Sequence, residues 1–263
     1  VVIALARPQS SLSWQDTSTE GIDIVVAMDI SASMLAKDFS PNRLESSKQV
    51  AINFIEARPN DRMGLVVYEG EAFTQCPLTT DHRVLVSLFN DVKTGMVEGG
   101  TAIGMGLATA VNRLRESDAK SKVIILLTDG DNNAGSIAPL TAAEIAKEFG
   151  IRVYTIGVGS KGRALSPVAV YPDGRYKYEM TEVNIDEPTL KEIAKMTNGN
   201  YFRATDEKAL AKIYAQIDRL EKTKINVTEH SRKAEEYYLF ALIGSLLLFC
   251  EYLFRQTVLQ TLP

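Results

Sequence analysis

The chain has 263 residues, a formal net charge of −4, 45% apolar residues and 24% charged ones. That length suits one α/β domain of roughly 200 residues with extra segments at its ends, and a core of this size needs no disulfide staples. Mild acidity without a basic stripe argues against nucleic acid as a partner. In chain order, Val1 to Ala6 followed by Arg7-Pro8 reads as the end of a truncated N-terminal membrane helix over 1–8, and the Ser/Thr-rich stretch 9–20 as a linker. Ile22 to Met28 is an apolar run of parallel-strand type that leads into Asp29-Ile30-Ser31-Ala32-Ser33. Arg43 to Ala57 predicts a helix with Leu44, Ala51, Phe54 and Ile55 on one face. Arg62 to Tyr68 and Ala72 to Gln75 read as strands joined by Glu69-Gly70-Glu71. Asp81 caps a helix with Leu85, Leu88 and Phe89 in its stripe, and Thr101 leads into another with Leu107, Val111 and Leu114.

A second buried-type strand, Val123 to Leu127, runs into Thr128-Asp129-Gly130. A helix over 138–149 and a strand from Val153 to Val158 follow. Segment 161–180 breaks the rhythm: it reads as an inserted hairpin turning at Pro172-Asp173-Gly174. It is either a docking arm built on Tyr171, Tyr176 and Tyr178 or a solvated hairpin covering a sheet edge. Pro188 opens a helix that ends near Asn198-Gly199, Asn200 to Arg203 is a short strand, and Asp206 caps a last helix with Leu210, Ile213 and Ile217. Strands alternating with amphipathic helices predict an α/β, doubly wound, mainly parallel central sheet with helices on both faces, over 21–222. A linker occupies 223–236, a C-terminal transmembrane helix 237–255 and a short tail 256–263. The span from Tyr237 to Phe254 carries one charge, Glu251, and extends roughly 27 Å at about 1.5 Å per residue, enough for a bilayer core. Tyr237, Tyr238 and Tyr252 lie near its ends, with Arg232, Lys233 and Arg255 flanking it. Cys76 and Cys250 read as two separate buried thiols.

The chemistry concentrates at two strand ends. Asp29, Ser31 and Ser33 alternate, so a carboxylate and two hydroxyls can converge at the C-terminal end of a parallel strand, where open α/β sheets bind their ligands. Thr101 after Gly99-Gly100 offers a further hydroxyl, and Asp129 a second carboxylate. Oxygen donors of this kind suit a small hard dication, Mg²⁺ first, with Mn²⁺ or Ca²⁺ as alternatives. The competing reading of the first motif is an Asx or Ser turn capping the next helix. Taken together, these residues resemble the metal-ion-dependent adhesion site of the von Willebrand factor A domains. The resemblance implies metal ligation by Asp29, Ser31, Ser33, Thr101 and Asp129, with a partner protein's acidic side chain completing the shell. The Gly99-Gly100 pair reads as a hinge for the Thr101 loop, and Asp131, Asn132 and Asn133 as turn formers.

An A domain between two membrane segments is similar to the bacterial aerotolerance (BatA-like) proteins, as are the runs Ala6 to Gln9, Leu127 to Gly135 and Leu259 to Pro263. That resemblance implies an inner-membrane protein with a periplasmic domain, acting in oxygen or stress tolerance. Its implied partners are other aerotolerance-family membrane proteins and a MoxR-type AAA+ ATPase. Gly157 to Gly162 matches G-x-G-x-x-G but no helix starts there, so it is not a dinucleotide site. A phosphatase built on Asp29 lacks its acid two residues on, where Ser31 stands, and His82 and His230 form no nucleophile–base pair. The sequence therefore predicts a metal-dependent binding module and not an enzyme. The alternatives are a chelatase-subunit-like adaptor for an AAA+ motor and a Mg²⁺-dependent phosphoryl hydrolase.

Overall fold

Near-unbroken apolar runs become strands covered on both faces, and that is how this sheet is built. The structure is a computed structural model that describes residues 9–10, 21–97, 99–172, 174–226, 234–235 and 237–257. Two short strands, β1 (Gln9–Ser10) and β10 (Ala234–Glu235), flank a domain of eight others. These are β2 (Asp23–Asp29), β3 (Arg62–Tyr68), β4 (Ala72–Thr79) and β5 (Lys122–Thr128), then β6 (Arg152–Val158), β7 (Arg163–Val170), β8 (Tyr176–Glu182) and β9 (Tyr201–Ala204). The six-stranded sheet has the order β4-β3-β2-β5-β6-β9, and only β4 runs antiparallel to its neighbour.

Helices α1 (Arg43–Glu56), α2 (His82–Asp91) and α6 (Glu207–Asn226) cover one face, over Ile24, Val26 and Met28. Helices α3 (Ile103–Leu114), α4 (Pro139–Glu148) and α5 (Glu187–Met196) cover the other, over Val25 and Ala27. The caps follow local chemistry: Asp81 accepts from the backbone N–H of Arg83 and Val84, and Asp186 from that of Thr189. The chain winds outward from β2 through β3 to β4, then returns through α3 to β5 on the other side of β2. Strand order thus reverses between the C-terminal ends of β2 and β5, which opens a crevice there.

The N-terminal ends of the strands, opposite the crevice, are laced with ion pairs. The Ile22 N–H donates to Asp61, Arg62 grips Asp23, and Arg58 bridges Asp61 and Asp218. On α6 the buried Glu221 accepts from Arg152, Tyr154 and Ser121 at the starts of β5 and β6. The domain therefore begins and ends at the strand ends opposite the crevice.

Three boundaries differ from the sequence reading. Strand β4 continues past Gln75 to Thr79, through Pro77, because an edge strand with an irregular register tolerates a residue that cannot donate. Helix α6 runs to Asn226, so the start of the expected 223–236 linker is helical, and β10 within that stretch pairs with β1 from the expected 9–20 linker. The hairpin over 161–180 forms as β7 and β8 in a two-stranded sheet of its own and does not pair with either edge of the main sheet.

Helix α7 (Tyr237–Thr257) occupies the expected span and exposes Leu242, Leu246, Leu247 and Phe249. Among the described residues, however, no helix is long and apolar enough to cross a membrane. The described side chains of α7 begin at Leu242 and end at Arg255, shorter than the roughly 20 apolar residues a span needs. The expected helix end at 1–8, the flanking Arg232 and Lys233, His230 and the tail beyond 257 lie outside the described residues. Cys76 is buried in β4 and Cys250 half-buried in α7, both as free thiols.

Gly104 tests how tightly α3 is seated, since a Cβ there would stand 1.9 Å from the Ile137 carbonyl oxygen, a backbone atom that cannot swing aside. Gly104→Ala should lower stability by about 3 kcal/mol, read as a fall in Tm, whereas alanine at the open Gly99 should leave Tm within a degree or two.

Candidate metal centre

Register brings the motif together. Met28 on β2 lies opposite Leu127 on β5, so Asp29 ends beside Thr128 and Asp129. Each Asp29 oxygen accepts one hydrogen bond, Oδ1 from the Ser31 N–H at 2.9 Å and Oδ2 from the Thr128 hydroxyl at 2.7 Å. The first bond is the Asx turn of the competing sequence reading, and it is present without displacing the second. A short 3₁₀ turn, Ala32–Leu35, then swings Ser33 back toward the strand ends while Ile30 points into the core. The Ser31 and Ser33 hydroxyls are 3.0 Å apart, and Ser33 donates to Asp129 Oδ1 at 2.7 Å.

Thr101 arrives on the loop before α3. Its backbone N–H donates to the Asn133 side chain at 2.8 Å and its carbonyl accepts from the Asn133 N–H at 3.0 Å. The Thr101 hydroxyl is 4.0 Å from where a Cβ on Gly130 would lie, next to Asp129. Within the Gly99-Gly100 pair read as a hinge, Gly99 is open while Gly100 has φ +131° and a Cβ there would meet Ala134 at 2.8 Å. The buried Glu69 ties the same loop to β3, its carbonyl accepting from Ala102 and its carboxylate from the Gly95 N–H. The structure thus gathers the five residues picked out by the sequence, all but Ser33 buried, at the crevice between β2 and β5.

Several participants were not visible in the sequence. Arg43, the first residue of α1, donates to Asp129 Oδ2 at 2.7 Å and grips both oxygens of Asp38. Its buried guanidinium lies against Gly159, in the segment set aside as a nucleotide motif, where a Cβ would come within 3.2 Å of it. Tyr68 lies beneath Asp29, pairs with it in register and donates to the Leu127 carbonyl at 2.7 Å. Thr128 could have been found from the strand register alone. Arg43, Asp38 and Asn133 show nothing in sequence beyond a helix start and turns.

Two carboxylates lie buried here side by side. Burial, and then the Asp129 charge, push the Asp29 carboxyl from 3.8 up to about 7. Burial also raises Asp129, against the pull of Arg43 and Ser33. Among the described residues no three His, Cys, Asp or Glu side chains gather as a metal cluster. The donor set is two carboxylates with hydroxyls, which matches a hard dication that keeps part of its water shell. The convergence of these oxygens at one crevice is what fits such an ion. Beside the site a cleft lined by Asp131, Asn132, Asn184, Asp186 and Arg203 opens toward the start of α5.

A family model described as von Willebrand factor type A domain matches residues 23–216. An uncharacterized protein of Borreliella burgdorferi is 33% identical over 208 residues, covering 79% of this chain, which spans 61% of that protein's length. The crystal structure of BatB from Bacteroides thetaiotaomicron is 32% identical with a TM-score of 0.67, covering 77% of this chain and all of that one. An aerotolerance-related membrane protein from Bacteroides fragilis is 31% identical with a TM-score of 0.65, covering 76% of this chain and all of that one.

The raised Asp29 has a definite sign. Its folded carboxyl holds a proton that the unfolded chain has released, so metal-free stability is greatest below the unfolded value of 3.8 and falls as pH rises toward about 7. In EDTA, chemical denaturation should show this decline, and Asp29→Asn should flatten it. An equal slope in both proteins would contradict the assignment.

Proposed function

This chain belongs to the von Willebrand factor type A domain proteins and is related to the bacterial aerotolerance (Bat) proteins; from that premise, we propose that it is a membrane-anchored, metal-dependent protein-binding module, a scaffold or adaptor of the bacterial cell envelope. The observation that carries the reading is the meeting of Asp29, Asp129 and the hydroxyls of Ser31, Ser33 and Thr101 at the strand-order reversal. Asp29, Ser31, Ser33 and Thr101 would hold the ion, with Asp129 completing the set. Mg²⁺ is the ion this donor set suits best, because it accepts one or two carboxylates and retains waters. Bound there, a dication supplies a Lewis-acidic position open to a carboxylate oxygen from another protein.

The protein's own residues do the rest. Thr128 and the Ser31 N–H fix the orientation of the Asp29 carboxylate, Asn133 and Glu69 fix the Thr101 loop, and Tyr68 and the β3 core keep water from beneath. The binding reading does not use His82, whose ring bonds the Asp61 carbonyl at the strand ends opposite the site. Anchoring rests on α7, whose described part exposes Leu246, Leu247, Phe249 and Phe254, and on kinship with proteins described as membrane proteins. An inner-membrane location, a periplasmic face and a role in oxygen tolerance with a MoxR-type ATPase extend the same family reading. The chelatase-subunit type, an adaptor for an AAA+ motor acting on a metal-insertion substrate, uses the same site and is the second reading.

In pull-downs from native membranes, Asp29→Ala and Ser31→Ala should each lose at least tenfold of the partner recovered with Mg²⁺ while keeping the wild-type circular dichroism spectrum. Equal recovery with and without EDTA would count against the module. Turnover of a generic phosphate ester with Mg²⁺, abolished by Asp29→Asn, would favour the hydrolase instead. Removal of residues 237–263 together with 1–8 should shift the protein from the membrane pellet to the supernatant.

A further inference from the structure

The proposed site contains a cation of its own. Arg43 is 3% exposed, and three of its nitrogens are engaged: Nη1 on Asp129 Oδ2, and Nε and Nη2 on the two oxygens of Asp38, each at 2.7 Å. Asp38 is fixed in turn by the Ser160 N–H at 2.8 Å, and the glycine backbone at 159 leaves the guanidinium just enough room. The fork is thus locked from behind, and a guanidinium does not give up its proton.

The geometry has a consequence for the two oxygens of Asp129. Oδ2 is committed to a buried, charge-assisted bond, while Oδ1 meets only the Ser33 hydroxyl, a rotor that can turn away. A two-oxygen grip by Asp129 would therefore have to share Oδ2 with the Arg43 cation, which leaves Oδ1 as the oxygen it gives freely. Mg²⁺ takes one oxygen from each carboxylate in a tight octahedron, whereas Ca²⁺ prefers six to eight oxygens and often grips a carboxylate by both. Resting on the metal-site reading, we infer that Arg43 is the specificity-determining residue of this centre: by holding Asp129 to one free oxygen and adding a fixed positive charge, it selects Mg²⁺ against Ca²⁺. It also leaves the bound ion short of negative charge, which is the condition for recruiting an acidic side chain from a partner.

The test is calorimetric titration of the full chain in detergent with MgCl₂ and, separately, CaCl₂. Arg43→Gln should raise the ratio of Ca²⁺ to Mg²⁺ affinity by about tenfold, the low end of what loss of a group supporting a metal ligand does. Arg43→Lys keeps the cation but cannot bridge both carboxylates as the fork does, so it should raise the ratio by less than Arg43→Gln, about threefold. Because Arg43→Gln strands the Asp38 carboxylate, the pair Arg43→Gln with Asp38→Asn serves as a second variant, and it should show the same gain in ratio. A purely structural role for Arg43 would lower Tm in these variants and leave the ratio unchanged; a ratio within twofold of wild type in a folded variant overturns the inference while leaving the metal site standing. Wild-type protein that binds neither ion would remove the metal reading and this inference together.

Discussion

Burying two like charges next to each other is expensive, and the upper end of this sheet is organised around making that tolerable. Asp29 and Asp129 cannot be moved apart, because the pairing of β2 with β5 sets them on adjacent strand ends. What can be arranged is their surroundings. Thr128 and the Ser31 N–H serve Asp29, Ser33 and Arg43 serve Asp129, and Asp38 balances Arg43. Three segments distant in sequence, at 29–43, 128–129 and 159–160, meet around these two carboxylates. A domain that only had to fold would be more stable with apolar residues here, so the arrangement argues for a purpose other than stability.

The elements themselves were plain in the sequence for a simple reason. A buried parallel strand has no polar face, so Ile24 to Met28 and Val123 to Leu127 announce themselves, and the helices between them carry regular stripes such as Leu107, Val111 and Leu114. Metal-type oxygens at strand ends were equally legible, since Asp29 and Asp129 each interrupt an apolar run. The supports around them were not. Arg43 looks like any charged residue at a helix start, and its meaning depends on Gly159, far along the chain, passing behind it. Asn132 and Asn133 have the composition of a turn and act as clamps on Thr101 and Gly104 because tertiary structure brings α3 over them. Pro77 hid the second half of β4, because sequence alone does not say which strand will be an edge.

The hairpin shows how a local signal can be legible in sequence while its placement is not. Turn chemistry marked β7 and β8, yet the pair guards no sheet edge. It reaches the site's first loop instead: the Lys37 N–H donates to the Leu165 carbonyl at 3.0 Å, and the Lys37 ammonium lies 4.3 Å from the Tyr178 ring centroid. Ser160, at the hairpin's base, holds Asp38 and through it Arg43. Val170, Tyr171 and Met180 remain in solvent.

Both ends of the domain emerge beside the ion pairs that join Asp23 to Arg62 and Glu221 to Arg152, at the foot of the sheet, while the carboxylate crevice sits at its head. A pull exerted between a bound molecule above and the chain ends below runs along the strand axes. It loads the backbone ladders of β2, β3, β5 and β6 in shear, so many bonds share the strain at once and none is peeled open singly. Resistance to a pull along this axis is thus a by-product of where the polypeptide enters and leaves the domain.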